Sequence, residues 1–164
     1  MGTMRGMTNA RPQPHFLRQR LLMRFINFYP PFLGAGIRVV AWDEQRITVR
    51  LALTWFNRNL FGTQFGGSLY AMCDPFFVML LMRQLGAGYI VWDKAASIQF
   101  LKPGRGAVTA TFHVPPARAA EIRARADAGE KIEPTFTAEV TDASGQVIAR
   151  VEKLLYVRQK HSGV

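Results

Sequence analysis

Residues 57–75 read Asn57-Arg58-Asn59-Leu60-Phe61-Gly62-Thr63-Gln64-Phe65-Gly66-Gly67-Ser68-Leu69-Tyr70-Ala71-Met72-Cys73-Asp74-Pro75. The first half of this stretch is rich in asparagine and glycine, which predicts a loop. From Ser68 to Leu85 the chain is strongly apolar, and this length suffices for about five helical turns. The apolar residues occur on nearly every side of the predicted helix, as in a buried helix. Gly86 and Gly88 end it.

Alternating apolar residues predict strands on both sides of this helix. Two strands precede it, at residues 36–42 and 46–55, with a hairpin turn between them. Four strands follow it, and a short surface helix at 116–128 interrupts them; the strands are residues 95–101, 107–114, 136–141 and 146–158. Antiparallel strands around one apolar helix form an α+β domain.

The N-terminal region adds a tail and a further helix to this domain. Residues 1–14 contain two glycines and two prolines and are predicted to be a flexible tail. Residues 15–29 show apolar residues near helical spacing, and Pro30-Pro31 ends this helix. We expect the helix to cover the open side of a single domain spanning residues 15–160. A basic amphipathic helix can also lie on a membrane surface, so membrane contact remains an alternative.

Composition narrows the classes of function. The chain has 164 residues, 49% of them apolar, and a formal net charge of +10. A basic surface attracts anions, so nucleic acid, an acidic membrane and a phosphate-bearing ligand all remain open. One cysteine permits no intramolecular disulfide and favours a reducing cytoplasm. Three scattered histidines and one cysteine offer no spacing for metal ligands, so we expect no metal.

The glycines and the aspartate of the quoted stretch suggest chemistry. The first amides of a helix have no intrahelical partner, and the helix dipole makes that end positive. Gly66 and Gly67 let a ligand approach those amides, which can hold an anionic oxygen. Asp74 follows Gly67 by seven residues, inside an apolar helix where an unpaired charge is costly. The carboxylate is therefore either hydrogen-bonded for structural reasons or functional, and Pro75 beside it predicts a kink.

The motif resembles that of the hotdog-fold thioesterases, in particular the branch that includes phenylacetyl-CoA thioesterase. That branch has Asn, five residues, His-Gly-Gly, and an Asp nine residues after the His; the matching positions here are Asn59, Phe65-Gly66-Gly67 and Asp74. The segment 96–106 also looks like the family's strand and turn after the helix. The resemblance implies a hotdog fold, in which an antiparallel sheet wraps around one long central helix, with the N-terminal helix as an addition.

The same resemblance implies hydrolysis of acyl-CoA, without metal or redox cofactor, in a homodimer or homotetramer. Asp74 would be the general base or the nucleophile, Gly67 would supply the oxyanion amide, and Asn59 would lie near the thioester or the catalytic water. In the family the Gly-Gly end and the aspartate of one site come from different subunits. No nucleic-acid partner is implied.

Further candidates for substrate contact follow from their position in the sequence or from a looser match to the family. Gly66 and Phe65 lie at the helix start, and Asp93 falls near a polar position of the family's next strand. Lys102 and Arg105, in the turn after that strand, are candidates for contacts with the CoA phosphates.

One departure from the family is the replacement of its His by Phe65. This counts against a dehydratase or hydratase, which need a His with an acid. Two alternatives stay open. The first is a non-catalytic acyl-CoA or lipid-binding protein that uses the same groove. The second is a membrane-surface or nucleic-acid protein that depends on the N-terminal arginines.

Overall fold

One antiparallel sheet organises the chain. A computed structural model describes residue 23 and residues 25–160. The sheet order is β1-β2-β4-β5-β6-β3, so β1 and β3 are its two edges. The six strands are β1 (Ile37–Trp42), β2 (Arg46–Leu51), β3 (Tyr89–Phe100), β4 (Val108–His113), β5 (Thr135–Asp142) and β6 (Val147–Gln159).

From residue 26 to residue 160, four α-helices accompany the sheet: α1 (Pro30–Ala35), α2 (Gly66–Ala71), α3 (Phe76–Leu85) and α4 (Pro116–Asp127). Helices α2 and α3 form the centre of the core. Phe76 and Phe77 of α3 are fully buried and contact the Phe112 ring of β4 at centroid distances of 5.1 and 5.2 Å. Burial of such rings is the main stabilising contribution, since each removes a large apolar area from water. The helices and strands confirm the predicted α+β class, and α4 confirms the helix predicted at 116–128.

The predicted continuous helix from Ser68 to Leu85 is wrong. The chain forms α2 and α3 with a turn at residues 72–75 between them. The physical reason is Pro75, which has no N–H to donate to the Ala71 carbonyl. The amide of Asp74 donates to that carbonyl instead, at 3.3 Å, and closes a turn between residues three positions apart, which is tighter than a turn of α-helix.

Two strand boundaries also differ from the prediction. Strand β2 stops at Leu51, although the apolar alternation continues to Trp55, and Trp55 is 82% exposed. The antiparallel neighbour β4 begins at Val108, opposite Leu51, so the residues after Leu51 have no residue of β4 to pair with. Strand β3 begins at Tyr89, six residues before the predicted start, because the long β6 supplies partners up to Gln159.

The N-terminal predictions lie largely outside the described residues. The tail at 1–14 and most of the helix at 15–29 fall there, including the arginines on which membrane contact would depend. Within the described part, Met23 and Phe25 are helical and Ile26–Phe28 form a 3-10 turn. Pro30-Pro31 ends that turn but also begins α1, where proline is tolerated because first-turn amides need no partner. Among the described residues, no helix is long and apolar enough to cross a membrane.

Asn57 fastens the long loop after β2 to the end of α1. Its side chain is nearly buried, donates to the carbonyls of Ala35 and Ala52 at 2.8 Å, and accepts from the Thr54 amide at 2.7 Å. Gly36 has φ +78°, and a Cβ there would lie 2.7 Å from the Asn57 amide nitrogen. The loop that leads to the glycine pair is therefore held at its start.

We expect Asn57→Ala to lower the free energy of unfolding by about 1–3 kcal/mol, because it leaves backbone groups that are shielded from water without a hydrogen-bond partner. Urea denaturation would measure this. Gln146→Ala, on an exposed turn, is the control and should change stability by less than about 0.5 kcal/mol. An Asn57→Ala protein as stable as this control would show that water replaces the lost bonds.

Candidate active site

Asp74 lies at the break in the central helix. Its side chain is 55% exposed, so the expectation of a carboxylate enclosed by apolar residues is wrong. The cause is the turn itself, in which the amides of Cys73 and Asp74 bond to carbonyls three residues back. This geometry directs residue 74 away from the buried side, where Cys73 takes its place.

The buried charge of this region is Lys153, in β6. Its side chain has no exposed surface, and its Nζ donates to Oδ1 of Asp74 at 3.1 Å. The same Nζ lies 3.0 Å from Oδ2 of Asp93 in β3 and 5.4 Å from the centroid of the Tyr70 ring. A buried ammonium requires such partners, because desolvation of an unpaired charge costs several kcal/mol. One ammonium and two carboxylates leave the cluster with one formal negative charge.

A bulge in β3 brings Asp93 into this cluster. Asp93 pairs with Leu155 and Ala96 pairs with Lys153. Between these two pairs β3 advances by three residues, whereas β6 advances by two. A bulge of this kind inserts one unpaired residue and shifts the alternation of faces. Asp93 thereby lies on the same face as Leu155 and Lys153 rather than on the opposite one.

Burial and ion pairing act against each other on these groups. Burial lowers the pKa of Lys153, but the hydrogen bonds that its ammonium donates to Asp93 and Asp74 outweigh this effect and raise that pKa above its usual value. Burial raises the pKa of Asp93, and the ammonium of Lys153 offsets only part of this effect. The cluster therefore keeps its lysine charged while it disfavours the second carboxylate charge.

Lys153 was missed by the sequence reasoning, although a signal for it exists. In β6 the inward positions alternate, and they are Ala149, Val151, Lys153, Leu155 and Val157. A lysine at an inward position of such a series must be buried, and a buried lysine needs a carboxylate. That reasoning points to an acidic partner without naming it, because the partners are 60 and 79 positions away in the chain.

The glycine pair begins α2 beneath two aromatic rings. A Cβ on Gly67 would lie 2.5 Å from the Phe65 ring, and one on Gly66 would lie 3.0 Å from the Phe100 ring. Phe65 precedes the helix in an extended conformation and is 54% exposed. The amides of Gly66, Gly67 and Ser68 have no hydrogen-bond acceptor among the described residues. The helix start thus offers free donors at a place where only glycine fits without displacing a ring.

Asn59 uses its side chain to shape the loop before this helix. Its Oδ1 accepts from the amides of Phe61 and Thr63, and its Nδ2 donates to Thr63 Oγ1 and the Gln64 carbonyl. The buried Gln64 side chain in turn donates to the Gly106 carbonyl at 2.9 Å. The bond from Gln64 connects the loop to the turn after β3. Both N–H groups of the Asn59 side chain are engaged within the loop.

The candidate residues fall into two groups in the single chain. Asn59, Gly66 and Lys102 line one pocket of about 300 Å³, between the loop and the turn after β3. Arg105 lines a neighbouring pocket of about 500 Å³, which shares Lys102. Asp74 and Asp93 meet at Lys153, and neither is among the residues that line these pockets.

Known proteins share this architecture. Residues 18–157 match the family described as Domain of unknown function (DUF4442). A probable thioesterase from Pseudomonas aeruginosa is similar over 93% of this chain and 100% of its own, with TM-score 0.78 and 19% identity. None of the curated proteins matches the sequence.

Two further structures are similar. A thioesterase from Haemophilus influenzae matches over 94% of this chain and 97% of its own, with TM-score 0.63 and 15% identity. The Escherichia coli PaaI protein from the phenylacetic acid degradation operon matches over 87% and 94%, with TM-score 0.59 and 19% identity. At these identities the likeness establishes the fold, and the expected hotdog fold is confirmed.

The raised pKa of Asp93 predicts how stability changes with pH. A carboxyl whose folded-state pKa exceeds the ordinary value of 3.8 favours the folded state when protonated. This contribution is fully present below that value and is lost as pH rises through the folded-state pKa. We therefore expect the stability of the wild type relative to Asp93→Asn to be greatest below about pH 4 and to fall as pH rises. Urea unfolding across this range measures it.

Asp142→Asn is a control with the opposite sign. The hydroxyl of Ser144 and two backbone amides lower the pKa of Asp142, and these bonds outweigh a smaller opposing effect of burial. The contribution of Asp142 to stability is present when the pH is above the ordinary carboxyl pKa, and it is lost as the pH falls through the lowered pKa of the folded state. A wild-type advantage over Asp93→Asn that grows with pH would contradict the assigned direction.

Proposed function

The chain belongs to the family described as Domain of unknown function (DUF4442), and we propose that it is a thioester hydrolase that converts acyl-CoA to a free acid and CoA. The observation that supports this most is the exposed carboxylate of Asp74, which a fully buried ammonium holds at the helix break. An ion pair with an exposed carboxylate contributes little to stability. Stability therefore gives no reason to place a buried lysine beside Asp74, whereas a functional carboxylate does. The solved structures of the same fold that are described as thioesterases support the reaction class.

Two routes fit an accessible carboxylate. In the first, Asp74 takes a proton from water while the water oxygen attacks the thioester carbonyl carbon. In the second, the carboxylate attacks that carbon, expels the CoA thiolate and forms an anhydride that water hydrolyses. Each route passes through an oxyanion, for which the Gly67 amide is the proposed donor. Collapse of the tetrahedral intermediate breaks the C–S bond, and the thiolate takes up a proton.

The proposed site would be completed by a second copy of the chain. Strand β3 is an edge of twelve residues, and within the part of the chain that the structure describes it pairs only with β6. Long unpaired edges favour pairing with another chain. The loop before α2 exposes large apolar side chains, with Leu60 fully exposed and Phe61 at 87%. Pairing of two copies would cover such surfaces and bring the glycine pair of one chain toward Asp74 of the other, as the family resemblance implies.

The proposed substrate is anionic, and the turn after β3 is basic. Lys102 lies where the two pockets meet, and Arg105 lines the second, so both are proposed contacts for the CoA phosphates. Asn59 would act by fixing the loop geometry, since its donors are already engaged. Hydrolysis by these groups requires no metal or redox cofactor.

Asp74→Asn is the direct test of the mechanism. Asparagine keeps the size of the side chain but cannot act as a base or a carboxylate nucleophile. We expect kcat for acyl-CoA hydrolysis to fall at least about a hundredfold, while the melting temperature stays close to that of the wild type. Thiol release from a panel of acyl-CoAs measures the rate.

Glu130→Gln is the matched control for this experiment, because it removes an exposed carboxylate that pairs with Arg125 on the surface. It should leave kcat unchanged. A folded Asp74→Asn protein with full activity would assign Asp74 a structural role. A wild type that binds acyl-CoAs without hydrolysing them would favour the non-catalytic binding protein.

We expect the protein to form dimers or tetramers in solution, because the described residues leave the β3 edge and the apolar loop uncovered. Light scattering should give two or four times the chain mass of 18.5 kDa. Hydrogen exchange should show protection along both sides of β3, including amides that do not face β6. A monomer with rapidly exchanging β3 amides would rule out a site shared between subunits.

A further inference from the structure

We propose that Lys153 is a positioning residue that fixes the orientation and charge of the Asp74 carboxylate, with Asp93 as the second anchor of its ammonium. This inference rests on the proposed function of Asp74. Its basis is the geometry of one nitrogen atom, which lies 3.1 Å from Asp74 Oδ1 and 3.0 Å from Asp93 Oδ2. In the ion pairs of Lys94, Arg118, Arg125 and Arg150, by contrast, the cation meets a single carboxylate group.

The first support is the position of Lys153 in the sheet. Its neighbours on the same face of β6 are Val151 and Leu155, both fully buried. A methionine would fit this series and avoid the desolvation penalty, and replacing buried ion pairs by apolar residues is often neutral or stabilising. Stability alone therefore does not explain a lysine here, whereas a requirement to hold a carboxylate does.

The second support is the freedom that Asp74 would otherwise have. Residue 74 lies in a turn, and more than half of its side chain is exposed, so neither a regular helix nor packing fixes its rotamer. The Lys153 ammonium, in contrast, is held by Asp93 and lies over the Tyr70 ring within cation–π range. A fixed cation that bonds Oδ1 leaves Oδ2 as the oxygen available to water or substrate.

The third support is electrostatic. The ionisable groups that face Lys153 are Asp74 from the turn, Asp93 from β3, Tyr70 from α2 and Cys73 from the turn. Burial raises the pKa of the Cys73 thiol to about 12, so this group stays neutral near pH 7. The cluster thus sets one attractive charge, Lys153, and one repulsive charge, Asp93, beside the Asp74 carboxylate.

Two substitutions should therefore move the pH–rate profile in opposite directions. Lys153→Met removes the attraction, so the acid limb of kcat/KM should move up by about one pH unit or more. Asp93→Asn removes the repulsion and keeps the lysine, so the acid limb should move down. The control is Lys94→Met, which changes a lysine of β3 that forms a surface ion pair with Glu133, and it should leave the profile in place.

Combination with Asp74→Asn separates positioning from general damage. If Lys153 acts through Asp74, Lys153→Met should lower kcat about tenfold or more alone and have no further effect in the Asp74→Asn background. A folded Lys153→Met protein with the wild-type profile would overturn the proposal. If Lys153→Met does not fold, Asp93→Asn decides, and an acid limb that stays or moves up overturns the proposal.

A measurement without substrate distinguishes this inference from the proposed function. The Hα–Hβ couplings of Asp74 should indicate one rotamer in the wild type and averaging in Lys153→Met. If no acyl-CoA is hydrolysed but the couplings change in this way, the positioning role stands and the proposed reaction fails. If the couplings are the same in both proteins, Lys153 does not orient Asp74.

Discussion

Pro75 lacks an amide hydrogen, and this covalent fact determines the layout of the central region. Because proline cannot complete the hydrogen bond to the Ala71 carbonyl, the apolar helix is interrupted after Ala71 and restarts at Phe76. Asp74 occupies the gap, where its side chain can reach both solvent and the buried Lys153. A continuous helix would offer residue 74 no such turn, and the long apolar segment would carry its charge into the core.

The fold was largely predictable, because the hydrophobic pattern fixes which residues face the core. The alternation through Ile47, Val49 and Leu51 identified β2 correctly, and all three side chains are buried. The same alternation continued to Trp55, where it failed. An apolar pattern indicates which side of the sheet a residue would face in a strand. The residue at which the strand stops depends on how far the neighbouring strand extends. That information lies in a distant part of the chain.

The candidate site was predictable only in part, for a related reason. Asp74 and Gly67 were identifiable because they belong to one local segment with characteristic spacing. Lys153 was not, since its meaning comes from pairing with residues on another strand and on the helix break. Local motifs can be found in a sequence, whereas the groups that tune them are assembled by the tertiary fold. The exposure of Asp74 likewise follows from a tight turn that helical periodicity does not reveal.

The bulge in β3 makes the cluster depend on the register of the strand, not only on its composition. If the strand kept its length but lost the bulge, regular pairing back from Ala96 would put Lys94 opposite Leu155 and turn Asp93 to the other face. Two lysines would then share the buried face, with one carboxylate fewer to neutralise them. Such a change of register would exchange an attraction for a repulsion at the buried face, although it made the sheet more regular.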